Sequence, residues 1–327
     1  MSDKPIRVAV VGAGEFGRNH VRLWREMEGA KLAGIVDTNP ERAQKIASEF
    51  STQVLNGVEV LSAEKVDAVS LAVPTKEHAR VGCQLLEAGH DVLVEKPIAA
   101  SLDEADQLIA SAKRFGRILQ IGQVERFNPA VVAVQKIVSK PMFFEVHRMG
   151  IFTPRSLDID VVYDVMIHDL DILLSLVNAP VEDMKAVGIP VITDKVDIAH
   201  ARLEFSNGTV ANLTASRVST ERVRKMRFFQ EHEYVSLDFT RQDVLRVRVQ
   251  PGSPLPEIGF EKVPTTPEEP LRAELRSFLD CVRSRKVPVV DGAAGRRALE
   301  LADRVIAGIL AHAQRVQLSA FTPQVAQ

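Results

Sequence analysis

Five short apolar runs in the first 122 residues alternate with four stretches of helical periodicity, and this alternation restricts the fold more than any other feature of the chain. The runs are 6–11, 32–36, 66–73, 91–94 and 118–121, rich in Val, Ile, Leu and Ala. Continuous apolar runs of this kind suit strands covered on both faces. Between them the spacing predicts helices over 16–27, 40–50, 76–88 and 102–115. Pro40 suits a first helical turn with Asn39 as its N-cap, and Gly89 and Gly116 stand where helices end. Strand–helix–strand units connect by right-handed crossovers, so the expected architecture is a doubly wound parallel sheet of the α/β class.

The pattern changes after Gly122. Helices are expected near 129–138 and 164–176, with a strand at 143–149 between them. Six strand candidates follow in succession: 184–190, 198–205, 209–216, 225–230, 234–238 and 244–249. Asn207-Gly208 is a hairpin turn between two of them. Successive strands with tight turns favour an antiparallel or mixed sheet. Residues 250–267, rich in Pro and Gly, read as a loop, and two helices follow at 268–284 and 295–313. The expected division is a nucleotide domain over 1–122 and an α+β domain over 123–327.

Composition sets limits on function. Forty-one basic against 43 acidic residues give a net charge of −2, which argues against nucleic acid as a partner. The two cysteines, Cys83 and Cys281, exclude a disulfide framework and favour a reducing compartment, so a cytoplasmic location is expected. The first residues lack the pattern of a secretory signal. No apolar stretch approaches the roughly 18 residues of a membrane span.

Gly12-Ala13-Gly14-Glu15-Phe16-Gly17 fits G-x-G-x-x-G and stands between a predicted strand and a predicted helix. Glycine serves there because the turn is tight and a pyrophosphate must approach bare backbone at a helix N-terminus. Asp37 ends the second predicted strand, 20 residues after Gly17. A carboxylate there bonds ribose hydroxyls and repels a 2′-phosphate, so NAD is expected over NADP. Arg42 keeps NADP open as the lesser alternative.

Three further strings have the character of site residues. Pro74-Thr75 with His78 follows the third predicted strand, and Glu95-Lys96-Pro97 ends the fourth. Asp164, His168 and Asp171 share one face of a predicted helix. Together with Gly122, Arg126-Phe127-Asn128-Pro129 and 288–292, these strings resemble the Gfo/Idh/MocA family of sugar-related oxidoreductases over nearly the whole chain. The resemblance implies an N-terminal Rossmann domain and a C-terminal domain on a large open, mostly antiparallel sheet. It further implies a nicotinamide held by the first domain, substrate between the domains, and a homodimer or homotetramer. Cofactor contacts are expected from Gly12, Gly14, Glu15, Phe16, Gly17, Asp37, Pro74, Thr75, His78, Glu95 and Lys96. One departure is Met166, where the family commonly has glycine. The strings around Glu125 and Met166 resemble a subgroup acting on nucleotide sugars, such as UDP-N-acetylglucosamine oxidised at C3.

Oxidising a secondary alcohol requires a group that takes the hydroxyl proton. His168 fits, with an ordinary pKa of roughly 6.5. Lys96 fits as a hydrogen-bond donor to the oxygen or as the base itself, and the sequence leaves the two open. Asp164 is one turn from His168 and can orient it. The resemblance suggests a cis peptide before Pro97. Substrate contacts are expected from Lys96, Arg126, Arg155, Asp164 and His168, with Arg148 and Arg217 as further diphosphate candidates. His20 on the first helix either approaches the cofactor or faces solvent. No metal is expected, because the Asp164/His168/Asp171 set lacks a second His or Cys. The alternatives are a dehydrogenase of an inositol, free sugar or dihydrodiol, and a dinucleotide-binding regulator without catalysis.

Overall fold

The apolar runs of the first 122 residues form a parallel sheet in the computed structural model, which describes residues 4–153, 159–250, 252 and 255–318. Its strands are β1 (Ile6–Val11), β2 (Ala30–Val36), β3 (Ala68–Leu71), β4 (Asp91–Glu95) and β5 (Leu119–Gly122), in the order β2-β1-β3-β4-β5. A parallel bridge from Ile35 to Val54 adds a rudimentary position outside β2. With it the spatial order matches the Rossmann pattern, whose ligand crevice opens at the carboxyl ends where the order reverses. The crossover helices are α1 (Glu15–Glu26), α2 (Pro40–Glu49), α3 (His78–Glu87) and α4 (Leu102–Phe115). Asn39 and Ser101 cap α2 and α4 by accepting from the backbone N–H of Arg42 and Glu104, at 2.9 and 3.2 Å. Gly116 ends α4 in the left-handed conformation.

The second half begins with α5 (Pro129–Gln135), β6 (Phe143–Met149), a π-helical stretch (Val162–Met166) and α6 (Ile167–Leu176). Strands β7 (Val181–Ile189), β8 (Ile198–Phe205), β9 (Val210–Ser216), β10 (Val223–Gln230), β11 (Glu233–Asp238), β12 (Asp243–Gln250) and β13 (Glu257–Val263) follow, then α7 (Pro270–Ser284) and α8 (Gly292–Arg315). Eight strands form one sheet in the order β13-β12-β11-β10-β6-β9-β8-β7, and within it only β6 and β9 pair in parallel. Asn207-Gly208 turns β8 into β9, with Gly208 at φ +85°. Burial alternates along β6, β8 and β9, so one face of the sheet is apolar and covered. Phe144 and Phe228 pair across β6 and β10 on that face, ring centroids 5.4 Å apart.

β13 departs from the sequence reading, which took 250–267 as loop. It lies at the sheet edge, and six of its seven residues are exposed. Its apolar residues Ile258 and Phe260 face solvent, and the strand is set between Pro256 and Pro264, so its sequence reads as loop.

The chain divides into two compact units, Met1–Val124 with Leu271–Leu299, and Glu125–Pro270 with Glu300–Gln327. This differs from a single cut at 122, because residues 271–299 return to the first unit. The apolar face of α7 explains the return. Leu275, Phe278 and Leu279 are buried in one core with Val8, Trp24 and Ile35. Trp24 meets Phe278 edge-on at 6.4 Å and donates its indole N–H to Ser70 Oγ at 2.8 Å.

Candidate functional site

The glycine loop occupies the carboxyl end of β1, and its three glycines serve different needs. Gly12 has φ +94°, and a Cβ there would stand 2.4 Å from the Ala72 carbonyl oxygen at the end of β3. A Cβ on Gly17 would stand 1.8 Å from the Gly12 oxygen. Those two are dictated by the fold itself. Gly14 is not: its backbone is ordinary, and a Cβ would meet nothing within 4 Å. The bare space beside Gly14, at the start of a helix without a side-chain cap, is what a close-approaching phosphate group needs. Glu15 and Phe16 follow, both exposed.

Asp37 stands just beyond β2 with its carboxylate fully engaged. Oδ2 accepts from the Ala13 backbone N–H at 2.6 Å, and Oδ1 accepts from that of Asn39 at 2.8 Å. Arg42 donates from Nε to Oδ2 at 3.0 Å and from Nη2 to Oδ1 at 2.7 Å. Burial opposes the charge on Asp37, but these donors outweigh it and hold the carboxyl below its usual range. Arg42 thus covers both oxygens that would meet a ribose, a contact that the sequence spacing alone did not predict.

The ends of β3 and β4 are tied together. Pro74 precedes a single 3₁₀ turn, Thr75–Glu77, that leads into α3. The buried His78 ring reaches the Pro97 carbonyl through Nδ1 at 2.9 Å and the Val73 carbonyl through Nε2 at 3.0 Å. Burial lowers the pKa of this imidazole, against the opposing pull of the two carbonyls. His20 neither faces solvent nor opens to the crevice: it is fully buried, with Nε2 2.8 Å from Glu95 Oε1. The other Glu95 oxygen accepts from the Lys96 backbone N–H at 3.3 Å. A Cβ on Gly122 would stand 3.0 Å from that carboxylate, so the glycine at the end of β5 makes its space. The Lys96–Pro97 peptide is cis, and the Lys96 residue is half-buried.

In the second unit, Asp164 and His168 are half-buried and Asp171 is buried. Asp164 lies on the π-helical stretch and His168 on α6, so the predicted single helix is in fact two winding types joined at Met166. Tyr163, beside Asp164, donates to Asp303 on α8 at 2.7 Å. Arg126 Nη1 meets both Asp171 carboxylate oxygens at 3.3 Å, while its buried Nε has no partner among the described residues. Arg148 is buried, donating to Asp169 at 2.7–3.1 Å and to Glu125 at 2.6 Å, with Phe239 4.4 Å beneath it. Burial works against its charge, but Asp169 and Glu125 raise the guanidinium pKa above its ordinary value. Asp169 is itself pushed up by burial.

Two sequence candidates for a diphosphate are therefore committed elsewhere. Arg148 serves this internal cluster, and Arg217 donates to the Val196 carbonyl at 3.1 Å and pairs with Asp197 at 3.3 Å. Arg155 lies outside the described residues. Among the described residues no three His, Cys, Asp or Glu side chains are grouped as metal ligands, and no helix is long and apolar enough to cross a membrane.

A Rossmann unit with an open phosphate cradle, joined in one chain to a large mostly antiparallel sheet, defines a class of dinucleotide-dependent oxidoreductase. Comparison with known proteins gives the class its family. Residues 6–123 match the NAD-binding Rossmann domain of the Gfo/Idh/MocA oxidoreductases, and residues 131–234 match the family's C-terminal domain. The chain is 39% identical over 313 residues to UDP-N-acetylglucosamine 3-dehydrogenase of Acidithiobacillus ferrooxidans, covering 95% of this chain and 99% of that protein. It is 28% identical to scyllo-inositol 2-dehydrogenase (NAD(+)) of Bacillus subtilis, over 87% of this chain and 88% of that one. Two solved structures of the Acidithiobacillus enzyme superpose with TM-scores of 0.87 and 0.88 at 38% identity, covering 94% of this chain and 98% of theirs. The chain belongs to the Gfo/Idh/MocA family. It is an oxidoreductase with NAD as its cofactor.

Proposed function

We propose that this protein oxidises a ring hydroxyl of a nucleotide sugar to a ketone, with UDP-N-acetylglucosamine as substrate and C3 as the carbon oxidised. The observation that carries the reading is the 39% identity to UDP-N-acetylglucosamine 3-dehydrogenase over 95% of the chain, second unit included. The inositol dehydrogenase of Bacillus subtilis is more distant, at 28%.

Residues of the first unit hold the cofactor: the Gly12–Gly17 loop at the diphosphate, Asp37 at the adenosine ribose, and Pro74, Thr75, His78 and Glu95 along the crevice edge. Bound NAD supplies the hydride acceptor. Lys96 Nζ and the His168 imidazole hold the proton that leaves the substrate hydroxyl, and Asp164 orients His168. Arg126 offers its unserved Nε–H to a substrate oxygen. Arg155 is a further substrate contact.

NADH absorbance tests the reading. Purified protein with NAD and UDP-N-acetylglucosamine should generate NADH, whereas N-acetylglucosamine or myo-inositol at the same concentration should not. Turnover of inositol in preference to the nucleotide sugar overturns it. Lys96→Ala and His168→Ala should each cut turnover by about 10²-fold or more while leaving NAD affinity unchanged. A variant with full activity loses its assigned role.

A further inference from the structure

Arg224 lies on β10 directly opposite Arg148 on β6. Both belong to the face that carries Phe144, Val146, Met226 and Phe228, as the alternation along the two strands requires. Two guanidinium groups are thus neighbours across a strand pair, an arrangement that like charges make unfavourable. Arg148 is compensated, because it is clasped by Asp169 and Glu125. Arg224 is exposed, and its side chain makes no hydrogen bond or ion pair with any described residue. Arg222, two positions earlier and just before β10, adds further positive charge. Partial loss of solvation around the guanidinium, and then the charge of Arg148, lower the Arg224 pKa from its ordinary value.

The four groups Arg148, Arg224, Glu125 and Asp169 balance in formal charge, but not in hydrogen bonding. Both carboxylates accept from Arg148, and the five N–H donors of the Arg224 side chain meet no acceptor among the described residues. The position is close to the proposed chemistry within the same unit. Asp169 follows His168 in sequence, and Glu125 precedes Arg126, whose partner is Asp171.

We infer that Arg224 is the anion-binding residue of the second unit and that its ligand is the diphosphate of the substrate's nucleotide group. This rests on the nucleotide-sugar reading above. A planar guanidinium meets two phosphate oxygens at once, which a lysine at this position would not. The ligand anion would supply to Arg224 the neutralising contact that Arg148 has and that no described residue gives to Arg224.

Calorimetry on the full chain in the presence of NAD, with UDP and uridine as probes, tests the inference. Wild-type protein should bind UDP at least about tenfold more tightly than uridine, as a charged hydrogen-bonded pair requires. Arg224→Gln should abolish most of that preference without changing uridine affinity, and Arg224→Lys should retain part of it. UDP-N-acetylglucosamine turnover by Arg224→Gln should show a raised KM with kcat within about threefold. The inference is overturned if wild type shows no preference for UDP, or if both variants keep it. Equal loss of UDP and uridine affinity also overturns it, because that marks a residue that only balances the Arg148 cluster. Should wild type prefer UDP yet oxidise no UDP-sugar, the functional reading fails while Arg224 keeps its assignment through the binding data.

Discussion

At the scale of single residues, the glycine loop separates what the fold demands from what a ligand demands. Gly17 admits no side chain without a clash against the Gly12 backbone, whereas the space at Gly14 is open. Gly17→Ala should therefore lower stability by about 2 kcal/mol, as forced overpacking does. Gly14→Ala should melt with wild type and instead weaken NAD binding about tenfold, the cost of a lost phosphate contact. Thermal unfolding and calorimetric titration of both variants check the pair; equal behaviour would remove the distinction. Asp37 argues a second prediction. Arg42 occupies both of its oxygens, so ribose hydroxyls compete with a guanidinium. Arg42→Ala should bind NAD at least as tightly as wild type and NADP about tenfold more weakly. Unchanged NADP binding in that variant would assign Arg42 no part in the choice. The sequence made the glycines, Asp37 and Glu95-Lys96-Pro97 legible because each motif is local, set by one strand end. The Arg42–Asp37 clamp and the Arg148–Asp169–Glu125 cluster were not legible. Which cation takes which carboxylate depends on pairings across strands and helices that spacing does not encode.

Among elements, the strands with one buried face were readable and those without were not. β6 and β8 have the predicted bounds because their burial alternates. β13 escaped because Ile258 and Phe260 lie exposed between flanking prolines. The stretch before α6 read as one helix because period 3.6 and the π winding of five residues place Asp164 and His168 almost alike. His78 ties the β3 end to the β4 end, and its titration should be visible in stability. Its folded pKa lies below the ordinary value of about 6.5. Above that pH the ring is neutral in both states and the full contribution is present. As pH falls below it, the unfolded chain gains a proton that the folded chain refuses, so stability declines until the folded pKa is passed. His78→Gln keeps a donor for one carbonyl but cannot titrate. Urea unfolding at about pH 7.5 and about pH 5.5 should show a smaller acid loss in His78→Gln than in wild type. Parallel losses would mean that His90 and His200, also lowered by burial, carry the effect instead.

For the whole molecule, the order of folding units along the chain matters more than a boundary drawn at one point. The first unit is completed only by residues 271–299, far downstream of its last strand. Periodicity placed α7 in the sequence but could not say which core it serves, since an amphipathic helix carries no address for its apolar face. The Trp24–Phe278 contact supplies that address. Phe278→Ala should cost about 3–5 kcal/mol by removing a fully buried aromatic ring. The loss should reach the cofactor as well, because Trp24 lies on α1, the helix that opens at the phosphate cradle. A fragment of residues 1–124 would expose the surface that Leu275, Phe278 and Leu279 cover, and should bind NAD far more weakly than the full chain. Joining residues 271–299 to it through a flexible linker should restore both a cooperative melt and NAD binding, because that segment alone supplies the missing apolar cover. If 1–124 alone melts cooperatively and binds NAD like the full chain, α7 is an accessory to the first unit rather than part of its core.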